Sequence, residues 1–259
     1  MLVVMISDER RARIMKSINK IGYIQVADLV DEYQVSPVTI RRDLEIMEQE
    51  GLLIRKRGGA IRRNQGVTME LPYLIKQVEN VEIKNAIAGK ALGMVEDGFS
   101  ILLDSGSTTF NLAEQLVTKT RLSVVTNDLY IATKLAANPD INLICTGGVA
   151  RSNVFSLQGT IAENTIKNLR TDITFLGADA IHPDGSIYNV NIDEVSVKQA
   201  MIKSAPKVVL LVDSTKFEVC GFAKICSLSD IDTVITDQGI SPETKEMITT
   251  YISGELIIV

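Results

Sequence analysis

Val35-Ser36-Pro37-Val38-Thr39-Ile40-Arg41-Arg42-Asp43-Leu44 reads as the opening of a helix made to lie on DNA. Ser36 is suited to cap it, its hydroxyl accepting from a free backbone N–H of the first turn. Pro37 falls at the first helical position, where its missing donor costs nothing. Ile40, Leu44 and Met47 recur at helical spacing and face a core. Thr39, Arg41, Arg42 and Asp43 are left around the remaining surface. Hydroxyl and guanidinium groups in the first two turns of a capped helix are what a major groove accepts.

The flanking sequence extends this reading. Glu9 to Asn19 carries Ile14 and Ile18 among Arg10, Arg11, Arg13 and Lys16, a first helix that Ile21-Gly22-Tyr23 ends. Val26 to Tyr33 is a second, short helix, joined to the Ser36 helix only by Gln34-Val35, as a helix-turn-helix requires. Gly51 stops the third helix. Leu52 to Arg63 then reads as a basic β-hairpin turning at Gly58-Gly59, which is a wing. The expected DNA contacts are Ser36, Thr39, Arg41 and Arg42 from the helix. Arg55, Lys56, Arg57, Arg62 and Arg63 of the wing would meet phosphates or the minor groove. The plainer alternative is a solvated helix face on which Arg41 and Arg42 pair with Asp43 and Glu45.

Thr39-Ile40-Arg41-Arg42-Asp43-Leu44, with Glu48, Gly51, Leu53, Arg55 and Gly58-Gly59-Ala60 after it, resembles the N-terminal signature of DeoR-type bacterial transcription regulators. Charge agrees with a DNA-binding module. The whole chain of 259 residues is at −5, but residues 1 to 64 carry twelve Lys/Arg against nine Asp/Glu, and the remainder 15 against 23. A basic module joined to an acidic domain keeps non-specific DNA contact to one end. At 46% hydrophobic the chain can bury a full core. It has no apolar run long enough to span a bilayer. Met1 to Ile6 is apolar but too short for a signal peptide. Cys145, Cys220 and Cys226 show no metal spacing, and a reduced cytoplasmic setting with inert, buried or half-buried thiols is expected.

Beyond a polar stretch at Asn64 to Thr68, apolar β-branched runs alternate with helical segments from Leu71 onward. Strands are expected at Phe99–Leu103, Leu122–Val125, Ile141–Cys145, Ile173–Leu176, Val208–Val212, Thr233–Ile235 and Leu256–Val259. The expected organisation is a winged helix-turn-helix domain at 1–64 and an α/β domain with a largely parallel sheet at 65–259. In such sheets ligands collect beyond the C-terminal strand ends. Three of these ends are polar here: Asp104-Ser105-Gly106-Ser107-Thr108-Thr109, then Thr126-Asn127-Asp128, then Thr146-Gly147-Gly148 with Arg151 close behind. Glycines and hydroxyls at a helix N-terminus suit an anion, and Lys198 and Lys216 add positive charge. Together they describe a pocket for a small phosphorylated polyhydroxy ligand. There is no Walker lysine and no GxGxxG, so nucleotide readings are weak. His182 lies in turn sequence and has no partner histidine for a metal, and Asp193-Glu194 are adjacent acids that diverge on a helix.

These strand ends, together with Gly159, Phe175-Leu176-Gly177, Glu194 with Lys198, and Asp213-Ser214-Thr215-Lys216-Phe217, are similar to the sensor domain of DeoR-type regulators. The resemblance implies a fold related to ribose-5-phosphate isomerase and the CoA transferases. It implies a phosphorylated sugar or polyol as effector, bound by residues of these loops, Glu194 among them, and repression of a carbohydrate-use operon. No catalytic residue, cofactor, metal or membrane is called for, and the expected partners are double-stranded operator DNA and further copies of the chain, in a homo-oligomer that is at least a dimer. Two alternatives stay open: a sugar-phosphate isomerase with an appended DNA-binding domain, and an architectural DNA-binding protein that ignores metabolites.

Overall fold

The computed structural model describes residues 7–63 and 70–259, so the Asn64 to Thr68 joint and the apolar segment at 1–6 lie outside the described residues. The chain divides into two compact units, Met1–Glu79 and Asn80–Val259.

The first unit is built from α1 (Ser7–Ile21), β1 (Tyr23–Gln25), α2 (Val26–Tyr33), α3 (Pro37–Gln49), β2 (Leu53–Lys56), β3 (Gly59–Arg62) and α4 (Tyr73–Val78). Ile14, Ile18, Leu29, Ile40, Leu44, Met47 and Leu53 close its core. The turn between α2 and α3 is tight because Gln34 takes a left-handed backbone and donates its N–H to Val30 O. Ser36 caps α3 through Thr39 N at 3.1 Å. Gly51, with φ +75°, follows the helix as its stop.

Three details depart from the sequence reading. β1 adds a third strand, in the order β1-β3-β2. The wing turns at Arg57-Gly58, not at Gly58-Gly59: Lys56 pairs with Gly59 inside the ladder. Gly59 is needed for another reason, since a Cβ there would stand 2.0 Å from Ile24 O of the added strand. The unit also runs past residue 64, because Leu71 and Ile75 join its hydrophobic core and α4 packs on α1.

The second unit begins with α5 (Val81–Leu92), after the left-handed Asn80 breaks it from α4. Then follow β4 (Ser100–Leu103), α6 (Ser107–Gln115), β5 (Leu122–Thr126), α7 (Leu129–Leu135), β6 (Ile141–Cys145) and the hairpin β7 (Val149–Ala150) and β8 (Leu157–Gln158). After α8 (Thr160–Lys167) come β9 (Ile173–Leu176), β10 (Ala180–Ile181), β11 (Ser186–Asn189) and α9 (Val195–Ser204). The chain ends with β12 (Val208–Leu211), β13 (Ala223–Ser227), β14 (Thr233–Thr236), α10 (Pro242–Tyr251) and β15 (Glu255–Ile258).

All seven expected strands join one sheet, in the order β15-β14-β12-β9-β4-β5-β6, and every pairing in it is parallel. Leu102, Val125, Leu176, Leu210 and Val234 pack against Ala162 and Ile166 of α8, Val197 and Met201 of α9, and Ile248 of α10. Neighbouring residues alternate to the other face, where α5 runs over β12 and β14. The order fixes where a ligand can enter. From β4 the chain steps outward to β5 and β6, then returns to lay β9 on the opposite flank of β4. That reversal makes the carboxyl ends of β4 and β9 the topological switch point, the usual ligand position of such sheets.

The candidate DNA-binding face and strand-end site

On the first unit, Arg41 and Arg42 are exposed and make no ion pair or hydrogen bond among the described residues. Asp43 is not on that surface. It is buried, accepting from Arg10 at 2.6 Å with Arg11 at 3.9 Å. The acid therefore pins α3 to α1 and is not available to pair with the two arginines. Ser36 and Thr39 share a hydroxyl contact of 2.9 Å at the helix start. Between α3 and the wing lies a groove of about 590 Å³ lined by Arg41, Glu48, Arg55, Lys56 and Arg57. Lys56, Arg57, Arg62 and Arg63 are exposed. Arg55 differs from them. Its guanidinium bonds Glu48 at 2.7 Å and its N–H the same carboxylate at 2.9 Å. These contacts hold the Glu48 carboxyl below its usual range. Arg55 thus ties the wing to α3.

On the second unit most of the expected residues, Lys216 excepted, gather at the strand ends around the switch point. Asp104 follows β4 and is fully buried. Its Oδ2 accepts from Gly177 N at 2.9 Å and from the Lys198 ammonium. Lys198 also donates to Gly177 O at 3.1 Å. Burial opposes the Lys198 charge, but Asp104 and Glu194 outweigh it and hold the lysine pKa above its ordinary value. Glu194 is equally engaged. It accepts from Arg151 at 2.7 Å, from the Ser156 hydroxyl and from Asn189 at 2.6 Å. Burial would raise its pKa, yet Lys198, Arg151 and these bonds bring it below the usual range. Arg151 and Lys198, expected as phosphate ligands, are thus already bonded to carboxylates.

The loop after β4 is similarly divided. Ser105 donates to Asp128 at 2.7 Å, and the Thr109 hydroxyl to Gly106 O at 2.8 Å. Ser107 and Thr108, buried at the start of α6, have hydroxyls with no bond among the described residues. Thr126 Oγ1 accepts from Asp128 N, and Asn127 donates to Leu157 O at 3.3 Å. Asp128 caps α7 through Tyr130 N and Ile131 N. Burial pushes its carboxyl up to about 6, against the pull of those N–H groups and of Ser105. Gly147 and Gly148 end β6 with φ +70° and +115°. A Cβ at Gly148 would meet Gln158 O at 2.5 Å, so the close β7–β8 turn explains that glycine. Lys216 stands apart, in the 3-10 turn Ser214–Phe217 after β12, two strands from β4.

Sequence reasoning reached the strand end after β9 only through the resemblance, which names Gly177, and missed Asp179. Gly177 and Asp179 follow β9, and Asp179 accepts from Val190 N at 3.1 Å. The sequence signal was Gly177-Ala178-Asp179 after an apolar run, a pattern that gains meaning only once β9 is known to flank β4. His182 stacks on Tyr188 at 4.3 Å and accepts from Gly221 N. Cys145 and Cys220 are exposed, contrary to expectation. Cys226 is half-buried, and burial raises its thiol to about 12. No cluster of three potential metal ligands occurs among the described residues, and none of their helices is long and apolar enough to cross a membrane.

Known proteins match both units. The family described as the DeoR-like helix-turn-helix domain matches residues 10–65, and the DeoR C terminal sensor domain matches residues 79–238. The glycerol-3-phosphate regulon repressor of Escherichia coli (strain K12) is 32% identical over 229 residues, 88% of this chain and 90% of that protein. The HTH-type transcriptional regulator GolR of Listeria innocua is 34% identical over 235 residues, 90% of this chain and 91% of its own length. Among solved structures, ribose 5-phosphate isomerase A from Methanocaldococcus jannaschii is similar with a TM-score of 0.40 and 19% identity, over 54% of this chain and 55% of that one.

Proposed function

The chain belongs to the DeoR family of transcriptional regulators, and from that premise we propose that it represses a carbohydrate-utilisation operon and leaves its operator when a phosphorylated sugar or polyol binds. Relatives named as the glycerol-3-phosphate regulon repressor and as GolR support this reading. The single observation that carries it is the pairing of two features: exposed arginines with no ion pair among the described residues on a capped helix, and a cluster of polar side chains at the switch point of the parallel sheet. Arg41 and Arg42 read bases in the major groove, with Thr39 and Ser36 at the helix start, while Lys56, Arg57, Arg62 and Arg63 contact phosphates. The effector phosphate sits at the N-terminus of α6, on the free hydroxyls of Ser107 and Thr108 and the N–H groups of the first turn. Gly106 and Gly147-Gly148 allow close backbone approach, and Lys216 is the uncommitted cation of the set. Asp104, Ser105, Thr109, Thr126, Asn127, Arg151, Glu194 and Lys198 form the wall and its supports.

An isomerase would need a carboxylate free to move a proton. Glu194 accepts three bonds and is held ionised by Lys198 and Arg151, which suits a fixed wall of a binding site. The repressor works in the cytoplasm, where its operator is, and as a homo-oligomer, because one winged helix contacts too few base pairs for specificity. Sedimentation of the full chain as a strict monomer at concentrations that saturate DNA would contradict the oligomer. The main test is fluorescence anisotropy on operator DNA. Replacing both Ser107 and Thr108 by Glu should abolish release by sugar phosphates while sparing DNA affinity. Release that persists in this variant would place the anion elsewhere.

A further inference from the structure

The proposed effector site carries a second level of selectivity, which rests on the assignment of that site to a phosphorylated effector. Two buried oxygens at the strand ends have no donor among the described residues: Asp104 Oδ1 and Asn127 Oδ1. The two residues are 0% and 2% exposed. Each residue has its other polar atom committed. Asp104 uses Oδ2 for Gly177 N and Lys198, and Asn127 uses Nδ2 for Leu157 O, which fixes which end of the amide is oxygen. Buried acceptors without a donor are uncommon in folded proteins and call for a partner.

The register relates the two. Leu103 of β4 pairs with Thr126 of β5, so Asp104 and Asn127 are the next residues on adjacent parallel strands. Such neighbours stand about 4.8 Å apart across a sheet. A ligand with two hydrogen-bond donors on neighbouring atoms can satisfy both acceptors. Two adjacent hydroxyls on a sugar or polyol chain meet that need. A carbonyl does not, because it offers only lone pairs. An amine at the same place would be an ammonium facing Lys198, which already sits on Asp104 and is held protonated there. A neutral hydroxyl meets no such repulsion.

We infer that Asp104 and Asn127 select phosphorylated polyols or sugars with two adjacent free hydroxyls, and reject deoxy, keto and amino analogues at either position. Ser107 and Thr108 take the phosphate, and the strand-end acceptors read the carbon chain.

Calorimetric titration of the full chain tests this. The probes are inorganic phosphate, glycerol 3-phosphate, erythritol 4-phosphate and ribitol 5-phosphate. Each organic probe is matched with analogues in which one hydroxyl of the diol is replaced by hydrogen or by an amine. A diol phosphate should bind, with its deoxy and amino counterparts weaker by about tenfold or more. Asn127→Leu, which removes one acceptor at similar volume, should bring that ratio to about one for one of the two hydroxyls and leave it for the other, which Asp104 reads. The native-chain ratio decides the matter should this variant fail to fold. Equal affinity for diol and deoxy phosphates, or a ratio undiminished at both hydroxyls in Asn127→Leu, overturns the inference and leaves the phosphate site standing. Binding of inorganic phosphate with no diol phosphate doing better has the same effect. If no phosphorylated probe binds, inorganic phosphate included, the effector site itself is wrong and the selectivity falls with it.

Discussion

In the first unit Arg41, Arg42, Lys56 and Arg57 stand exposed with no ion pair among the described residues, whereas at the strand ends of the second unit Lys198, Arg151, Asp104 and Glu194 are bonded to one another within the fold. The contrast reflects what each surface meets. A duplex brings many phosphates and a counterion atmosphere, so cations facing it gain most when nothing in the protein neutralises them first. A small ligand brings few groups, so its site gains by holding its own charges in place beforehand. The same logic acts within the first unit, where the buried Asp43–Arg10 pair orients α3 and takes the acid away from Arg41 and Arg42.

The sharpest way to break the comparison is to remove one partner of a buried pair. Lys198→Met leaves Asp104 in a site with no exposure and without its counter-charge. Loss of one member of a buried pair destabilises by about 3–5 kcal/mol, since the remaining charge is stranded. A fall of the urea midpoint is the expected result. A variant as stable as the native chain would mean that Asp104 is neutral in the folded state.

Asp128 gives the next largest effect, through pH. Its carboxyl moves from 3.8 up to about 6, chiefly by burial. The folded chain therefore holds this proton more tightly than the unfolded chain. Stability from this group is fully present below about pH 4 and is lost as pH rises through about 6. Asn at the same position still caps α7 and does not ionise. Asp128→Asn should flatten the pH dependence of unfolding between those limits. The shift corresponds to at most about 3 kcal/mol gained at pH 7. An unchanged slope would show that Asp128 titrates normally.

Arg42→Ala sharpens the other side of the contrast. Being exposed and unpaired among the described residues, Arg42 should contribute little to folding, while its loss should cost about 1–3 kcal/mol of operator binding if it reads a base. Equal losses on operator and unrelated DNA would reassign it to phosphate.

The degree to which these features were legible differed between the units for physical reasons. The recognition helix was readable because cap, proline and apolar spacing are local, and all seven strands of the large sheet showed as short, predominantly apolar runs rich in β-branched residues. What failed were long-range facts. Asp43 looks like a surface acid until α1 is folded against it. Gly59 looks like a turn residue until β1 lies beneath it. Lys198 and Arg151 look like phosphate ligands because their carboxylate partners, Asp104 and Glu194, lie 94 and 43 residues away. β10 carries only two residues, and β11 and β13 interrupt their apolar residues with Ser186, Asn189, Lys224 and Ser227, so neither shows an apolar run.

The smallest effect concerns two adjacent wing residues of the same charge. Arg55 and Lys56 both looked like phosphate contacts, but Arg55 is bonded twice to Glu48, and Lys56 has no ion pair among the described residues. The slope of log affinity against log salt counts the cations that displace counterions from phosphates. Lys56→Ala should therefore lower that slope by about one, across sequences alike. Arg55→Ala should leave the slope nearly unchanged, because its charge is already matched within the protein. Its cost should appear instead as a wing less firmly held to α3, with the Glu48 carboxylate freed to repel the duplex. Glu48→Gln separates these two consequences. It removes the carboxylate and releases the Arg55 guanidinium, so the salt slope should rise toward one further phosphate contact. A slope that drops as much for Arg55→Ala as for Lys56→Ala would mean that Arg55 leaves Glu48 when DNA binds, and that the wing is not fixed by this pair in the complex.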